Sequence, residues 1–266
     1  MDPVKQMYEH VQRDLDKQHE NYSPPPIRFR ASEAGECSRR IWYRLSGYKP
    51  ESAKSAFMEF LTAMGDLAHD VVRWRMKRAG VELFDLTFDE ESGSITEDNS
   101  RAAMVDKDGE KFTVSFRADG GVMIDGVPHV LEVKSIDGFS YNAMKNVFDK
   151  KGWPGLMDYL RTETDRNRGD KYSKWFGQAD VSGLLSKEKV HRGYLIIGDR
   201  SMGQFGFNGS NEGMAFDLDE DHLQEILRKF AMINRMVRDG TPPMQEYVQT
   251  SRDCGYCPYR IQCWKG

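Results

Sequence analysis

The stretch HVLEVKS, residues 129–135, constrains the fold more than any other. It reads as a buried strand, and successive side chains of a strand point to opposite faces. Leu131 and Val133 therefore point one way, while Glu132 and Lys134 stand side by side on the other. A strand apolar enough for a core that also presents an acid and an amine together needs a sheet with one face packed and the other facing a charged site.

The flanking sequence adds charge in register. Phe112, Val114, Phe116 and Ala118 alternate with Thr113, Ser115, Arg117 and Asp119, the two-residue period of a half-buried strand, which puts Asp119 on the polar face. Asp125-Gly126 is a hairpin turn signal between two short extended runs, and a compact meander brings Asp119 close to Glu132 and Lys134. From Ala56 to Ala79, the residues Phe57, Phe60, Leu61, Met64, Leu67, Ala68, Val71 and Val72 recur at helical spacing, with Gly80 as the stop; His69 lies in that helix.

The remaining elements are read the same way. Residues 4–20 form a polar, exposed helix stopped by Ser23-Pro24-Pro25-Pro26, within an N-terminal leader, 1–26, expected to be mobile. Residues 27–266 form a single domain, with an insertion at about 138–175 that ends in the charged stretch RTETDRNRGDKYSK, also expected to be mobile, and a C-terminal cysteine segment at 250–266. KWFGQADVSGLL returns to helical spacing and RGYLIIGD is a short apolar strand. Asp219 caps a helix with the face Leu223, Ile226, Leu227, Phe230, Ile233 and Val237, and Gly240 lies just past its end. The pattern is α/β: a mixed sheet flanked by helices, without internal repeats.

Hydrophobic content of 39% is low and charged content of 30% is above average, which implies a wet surface on a folded chain. A net charge of −4 gives no overall attraction to nucleic acid, so local basic clusters must carry any such binding. There are three: Arg28, Arg30, Arg39, Arg40 and Arg44; Arg73, Arg75, Lys77 and Arg78; and Arg161, Arg166, Arg168, Lys171 and Lys174. No signal-peptide layout or membrane-length apolar run is present, so the expectation is a cytoplasmic protein with no membrane partner.

In a reducing compartment four cysteines read as metal ligands or free thiols. Cys254, Cys257 and Cys263 form C-x2-C-x5-C, and Cys37 is the only other cysteine. Four thiolates complete a tetrahedral set for zinc or for an iron–sulfur cluster, although structural zinc more often takes two close pairs. The alternative is a redox pair or zinc knuckle at Cys254 and Cys257, with Cys37 a buried bystander. Arg39, Arg40 and Trp42 follow the first cysteine, and Tyr259 and Arg260 lie within the closing cluster. Bases can stack on such rings while guanidinium groups hold phosphates, so these residues are candidate DNA contacts. The other reading has Trp42 and Tyr259 shielding the cysteines.

Phosphodiester hydrolysis needs a cation, an activated water and a group that stabilises the developing charge. Asp119 and Glu132 are hard oxygen ligands suited to Mg²⁺ or Mn²⁺, and Lys134 can orient or deprotonate the water. His69 is a further candidate ligand.

The order of GDLAHD, RADG, LEVKS and GQADVS resembles the histidine, aspartate, acid-x-lysine and glutamine motifs of the PD-(D/E)XK nuclease superfamily, in particular its RecB-like branch. The cysteine layout, with CSRRIWY at 37–43 and CGYCPYRIQC at 254–263, resembles the CRISPR-associated iron–sulfur exonucleases of the Cas-four type and the related nuclease of AddB-like helicase subunits. The resemblance spans roughly residues 30–264. It implies a restriction-endonuclease-like sheet with an iron–sulfur module joining both ends, and a metal-dependent DNA exonuclease that prefers single-stranded ends and acts in recombination, repair or CRISPR-type adaptation. It implies Asp119, Glu132 and His69 as ligands of Mg²⁺ or Mn²⁺, with the Val133 carbonyl as a fourth, and Lys134 and Gln178 as catalytic helpers. It implies a 4Fe–4S cluster on Cys37, Cys254, Cys257 and Cys263, and a helicase, recombinase or integrase as partner. The chain departs from the pattern at Ser182, where the family carries a tyrosine four residues after the glutamine. That departure keeps a catalytically inactive DNA-binding scaffold in view, and a zinc-bound accessory protein is a second rival.

Overall fold

The computed structural model describes residues 2–92, 94–97, 101–162, 173–187, 189–199, 204–206 and 213–265. In chain order the elements are α1 (Pro3–Glu20), β1 (Phe29–Arg30), α2 (Ser38–Leu45), α3 (Ala56–Arg78), β2 (Leu83–Phe84), β3 (Leu86–Phe88), β4 (Ile95–Glu97), β5 (Arg101–Lys107), β6 (Glu110–Phe116), β7 (Gly121–Ile124) and β8 (Val127–Ile136). They continue with α4 (Gly138–Thr162), α5 (Ser173–Leu184), β9 (Arg192–Asp199), β10 (Gln204–Phe205), β11 (Met214–Asp217), α6 (Glu220–Arg238), α7 (Arg252–Gly255) and α8 (Arg260–Lys265).

The strand carrying HVLEVKS is β8, the middle of a six-stranded mixed sheet in the order β10-β9-β8-β7-β2, with β11 also on β9. Asp125 and Gly126 both have positive φ, at 49° and 75°, which suits the two-residue turn joining β7 to β8 in an antiparallel hairpin. β8 and β9 run parallel, so the chain must cross over between them, and α4 and α5 make that crossover. Leu131 and Val133 are fully buried with Val72 of α3 and Ile196 of β9. On the other side of β8, Val130 packs with Ala118 and Val190. The alternation read from sequence is thus the alternation of two packed faces, with Glu132 set into one of them.

A three-stranded sheet, β1-β6-β5, packs under α2 and α6. Phe29 stacks on Phe230 with ring centroids 4.4 Å apart and meets Phe112 edge-on at 5.2 Å. Leu223, Ile226, Leu227, Phe230 and Ile233 are the buried face of α6, as its periodicity predicts, and each such side chain contributes about 1.5–3 kcal/mol by leaving water. The Asp219 side chain caps this helix by accepting from His222 N at 3.0 Å.

Two expectations need correction. The leader is held, because Gln12 accepts from Ala56 N at 2.8 Å, His19 reaches Pro50 O at 2.8 Å and Tyr8 packs against Phe60. Trp42 and Tyr259 are core residues at 4% exposure each: Trp42 donates to Met236 O at 3.0 Å and Tyr259 stacks on Tyr43, so neither ring offers a face to a base. In the stretch expected as an insertion, Tyr141, Met144, Leu156 and Leu160 of α4 enter a core shared with Trp175, Phe176 and Leu195. Arg166, Arg168 and Lys171 lie outside the described residues. Among the described residues, no helix is long and apolar enough to cross a membrane.

Candidate active site

Four predicted side chains converge. The chain leaves β6, passes Asp119 and enters β7 through Gly120 at φ 135°; a side chain at Gly120 would meet Leu86 at 2.6 Å. Asp119 N donates to Leu131 O at 3.2 Å, and Leu131 N donates to Gly120 O at 2.9 Å, which pins the loop beside β8. One Asp119 oxygen accepts from Val133 N at 2.8 Å and the other lies 3.0 Å from His69 Nδ1. Lys134 is ion-paired with Glu132 Oε1. Glu132 is 1% exposed, and its Oε2 is buried with no hydrogen-bond partner.

Burial and charge divide the protons among these groups. Burial pushes the Glu132 carboxyl up to about 7; Lys134 opposes this and the nearby Asp119 adds to it. Burial also acts to raise Asp119, but the hydrogen bond and charge of His69 outweigh it and hold Asp119 below its usual range. For Lys134 burial favours the neutral amine, yet Glu132 and Asp119 outweigh it and raise its pKa. Lys134 therefore remains an ammonium in this state, fitted to screen negative charge rather than to remove a proton from water. His69 is raised by Asp119, against burial.

Sequence reasoning missed one member of the site. Arg73, read only as part of a surface cluster, is 4% exposed; it donates to Asp119 O at 3.3 Å and is ion-paired with Asp70. It lies four residues after His69 and so on the same side of α3, which was the available signal.

Gln178 lies on α5 and lines a groove of about 430 Å³ with Arg28, Arg30, Arg101 and Arg117. Only the first two of these arginines belonged to a cluster recognised in sequence. Ser182, one turn further along α5, is buried with an unpartnered hydroxyl beside a cavity of about 40 Å³ lined by Ala118, Gly120 and Val130. That cavity lies where a larger side chain at position 182 would extend.

Among the described residues, no three His, Cys, Asp or Glu side chains stand ready to hold a metal ion. His69 and Asp119 are bonded to each other, and Glu132 to Lys134. The donor set nonetheless fits a hard cation: two buried carboxylates, one with an orphaned oxygen and a proton affinity raised by missing positive charge.

At the other end of the domain, all four cysteines line one cavity of about 90 Å³, together with Arg39, Arg40 and Arg260. Hydrogen bonds across the chain ends shape it: Glu51 N to Pro258 O at 2.8 Å, Gln262 N to Glu51 Oε1 at 2.6 Å, and Ser38 N to Glu246 Oε2 at 3.2 Å. Burial pushes the Cys37 thiol up to about 11, while backbone N–H groups of Arg40 and Arg39 pull the other way. Cys257 likewise receives a backbone N–H from Tyr259, and Gln245 Nε2 points at Cys263 Sγ from 4.0 Å. Convergent sulfurs with N–H donors and nearby guanidinium groups fit thiolate ligation of a metal group.

No family model and no curated protein matches the chain. Among solved structures it is similar to SSO0001, at 12% identity and a TM-score of 0.47, over 98% of this chain and 97% of that one. It is also similar to an alkaline exonuclease from Laribacter hongkongensis, at 12% identity and a TM-score of 0.44, over 87% and 93% of the two chains. The same exonuclease in complex with dAMP gives 11% identity and a TM-score of 0.43, over 86% and 93%.

Proposed function

We propose that this chain is a metal-dependent deoxyribonuclease that hydrolyses phosphodiester bonds from DNA ends, with single strands preferred. The observation that carries the reading is the buried Asp119–Glu132 pair, with an orphaned carboxylate oxygen, set beside a charged lysine and adjoining elements that line an arginine groove. Asp119, Glu132 and His69, with the Val133 carbonyl, would hold Mg²⁺ or Mn²⁺. A divalent cation bound there neutralises the phosphate and lowers the pKa of a bound water. Lys134 keeps its proton on Nζ and screens the charge that develops on the phosphate oxygens. Gln178 orients water or phosphate from the groove, where Arg28, Arg30, Arg101 and Arg117 hold the nucleic-acid backbone. Arg73 keeps Asp119 in place through its carbonyl.

Cys37, Cys254, Cys257 and Cys263 would bind a 4Fe–4S cluster whose first role is to tie the chain ends together. Recombination, repair or CRISPR-type adaptation is the setting that suits such an enzyme, and unwinding would fall to a helicase partner. A second reading, a DNA-binding scaffold without turnover, draws on Ser182 and the cavity beside it.

The test is oxygen-free purification, metal and sulfide analysis, and incubation with end-labelled single-stranded and duplex DNA plus Mn²⁺, beside a Glu132→Ala control. Degradation by the wild type alone supports a nuclease centred on Glu132. DNA binding without cleavage by either protein turns the assignment to the scaffold, and zinc without sulfide would remove the iron–sulfur assignment.

A further inference from the structure

α3 has two apolar faces, and the fold uses one. Val72 and Met76 pack onto the sheet, and His69 points to the candidate active site. On the outer face Phe57, Phe60, Met64, Leu67, Val71 and Trp74 follow one another at alternating steps of three and four. That spacing is the seam of a two-helix coil, in which each side chain inserts between those of a facing helix. Phe57 is 60% exposed, Met64 52%, Leu67 63% and Val71 45%. α1 reaches the seam at its first turns, where Tyr8 meets Phe60 at 4.8 Å.

We propose that this face is an interface between two copies of the chain, in which the α3 helices pair antiparallel about a two-fold axis. The charge along the helix selects this occupant. The half up to Leu67 carries Glu59 and Asp66 and no basic residue, while the half beyond carries Arg73, Arg75, Lys77 and Arg78 against Asp70. An apolar groove of about 670 Å³ runs along the second half, floored by Leu67, Val71 and Trp74 and rimmed by Arg75, Lys77 and Arg78; Glu90 pairs with Lys77 at its edge. What fits such a groove is an apolar ridge flanked by acids, and the first half of α3 is one.

The register closes on itself. Phe57 faces Trp74 of the second copy, Phe60 faces Val71, and Met64 faces Leu67, with each layer repeated by the two-fold axis. Antiparallel helix dipoles also attract. The exposed seam offers roughly 400 Å² of apolar surface per copy, which with the flanking charged stems approaches the lower end of specific interfaces. His69 sits on the side of α3 opposite the seam, so the pairing leaves the candidate active site open.

Sedimentation equilibrium of the full chain over roughly 1 to 100 µM tests this. The wild type is expected to move from monomer to dimer mass, and Leu67→Glu to weaken association at least about a hundredfold with an unchanged circular dichroism spectrum. A charge-swap mixture tests the orientation. Chains carrying Glu59→Lys and Asp66→Lys, and chains carrying Arg75→Glu and Arg78→Glu, should each stay monomeric alone and form a one-to-one dimer when mixed. A wild type that stays monomeric throughout, a dimer indifferent to Leu67→Glu, or charge-swap chains that dimerise alone as well as mixed would overturn the proposal.

Discussion

At the candidate active site, Asp119, Glu132 and Lys134 come from one meander of chain; at the cysteine cavity, Cys37 meets Cys254, Cys257 and Cys263 from opposite ends of it. The first region is held by its own backbone. The β7–β8 hairpin and the Asp119 loop set the carboxylates, and the charges largely neutralise one another there. The second is held by bonds between distant segments, and its thiols are buried and short of charge to stabilise a thiolate. Chemistry and stability should therefore separate between the two regions.

The sharpest break of that comparison is a crossed pair of variants. Glu132→Gln keeps the shape of the site but removes the carboxylate, and is expected to cut DNA cleavage by about 10²–10³-fold or more while moving Tm by only a few degrees. Cys37→Ser is expected to do the reverse: iron and labile sulfide fall and Tm drops by about ten degrees or more, while cleavage per folded molecule persists. Melting curves and single-turnover cleavage on both proteins check this. A Cys37→Ser protein that melts like the wild type would end the structural role of the cysteines.

Arg73 sharpens the first region. Arg73→Met is expected to lower kcat about 10–100-fold with KM for DNA little changed, because the residue supports Asp119 and has no access to substrate. Arg73→Lys should recover part of kcat. A rise in KM alone would instead place Arg73 among the substrate contacts.

A smaller effect concerns the junction of α5 and α6, where His222 Nδ1 lies 2.8 Å from Asp180 Oδ2. That hydrogen bond raises the His222 pKa above 6.5, against burial. A raised pKa in the folded state means stability that is fully present below about 6.5 and lost as pH climbs through the folded value. The Tm difference between wild type and His222→Gln should thus be largest near pH 6 and shrink toward pH 8.5. A difference that grows with pH would reverse the assignment.

The smallest effect is at Ser182. Removing its buried, unpartnered hydroxyl by Ser182→Ala should leave Tm unchanged or raise it by up to about 3 °C. A clear loss of stability would show a partner for that hydroxyl.

Much of the first region was legible beforehand. Alternation in 112–119 and 129–135 placed Asp119, Glu132 and Lys134 correctly, because a strand's period is a property of the backbone alone. The Asp125-Gly126 turn was legible for the same reason, since positive φ selects those residues. Trp42 and Tyr259 were misjudged because an aromatic residue beside arginines has the same sequence signature whether it lies over a groove or under a helix. Arg73 was misjudged because one basic side chain among four gives no sign of being the buried one. Arg101 and Arg117 went unnoticed because the groove they line joins strands and a helix far apart in the chain.

What the order of residues determined by itself was periodicity, turns and caps: the faces of β6 and β8, the helical runs of α3 and α6, and the pairing of an acid with a lysine on one strand face. These follow from local backbone geometry, which each short segment carries with it. Only the tertiary structure decided which apolar face of α3 is packed and which is bare, which arginine is buried under Asp119, and that Cys37 shares a cavity with three cysteines from the far end. Those outcomes depend on how whole elements exclude water against one another, and no single segment contains that information.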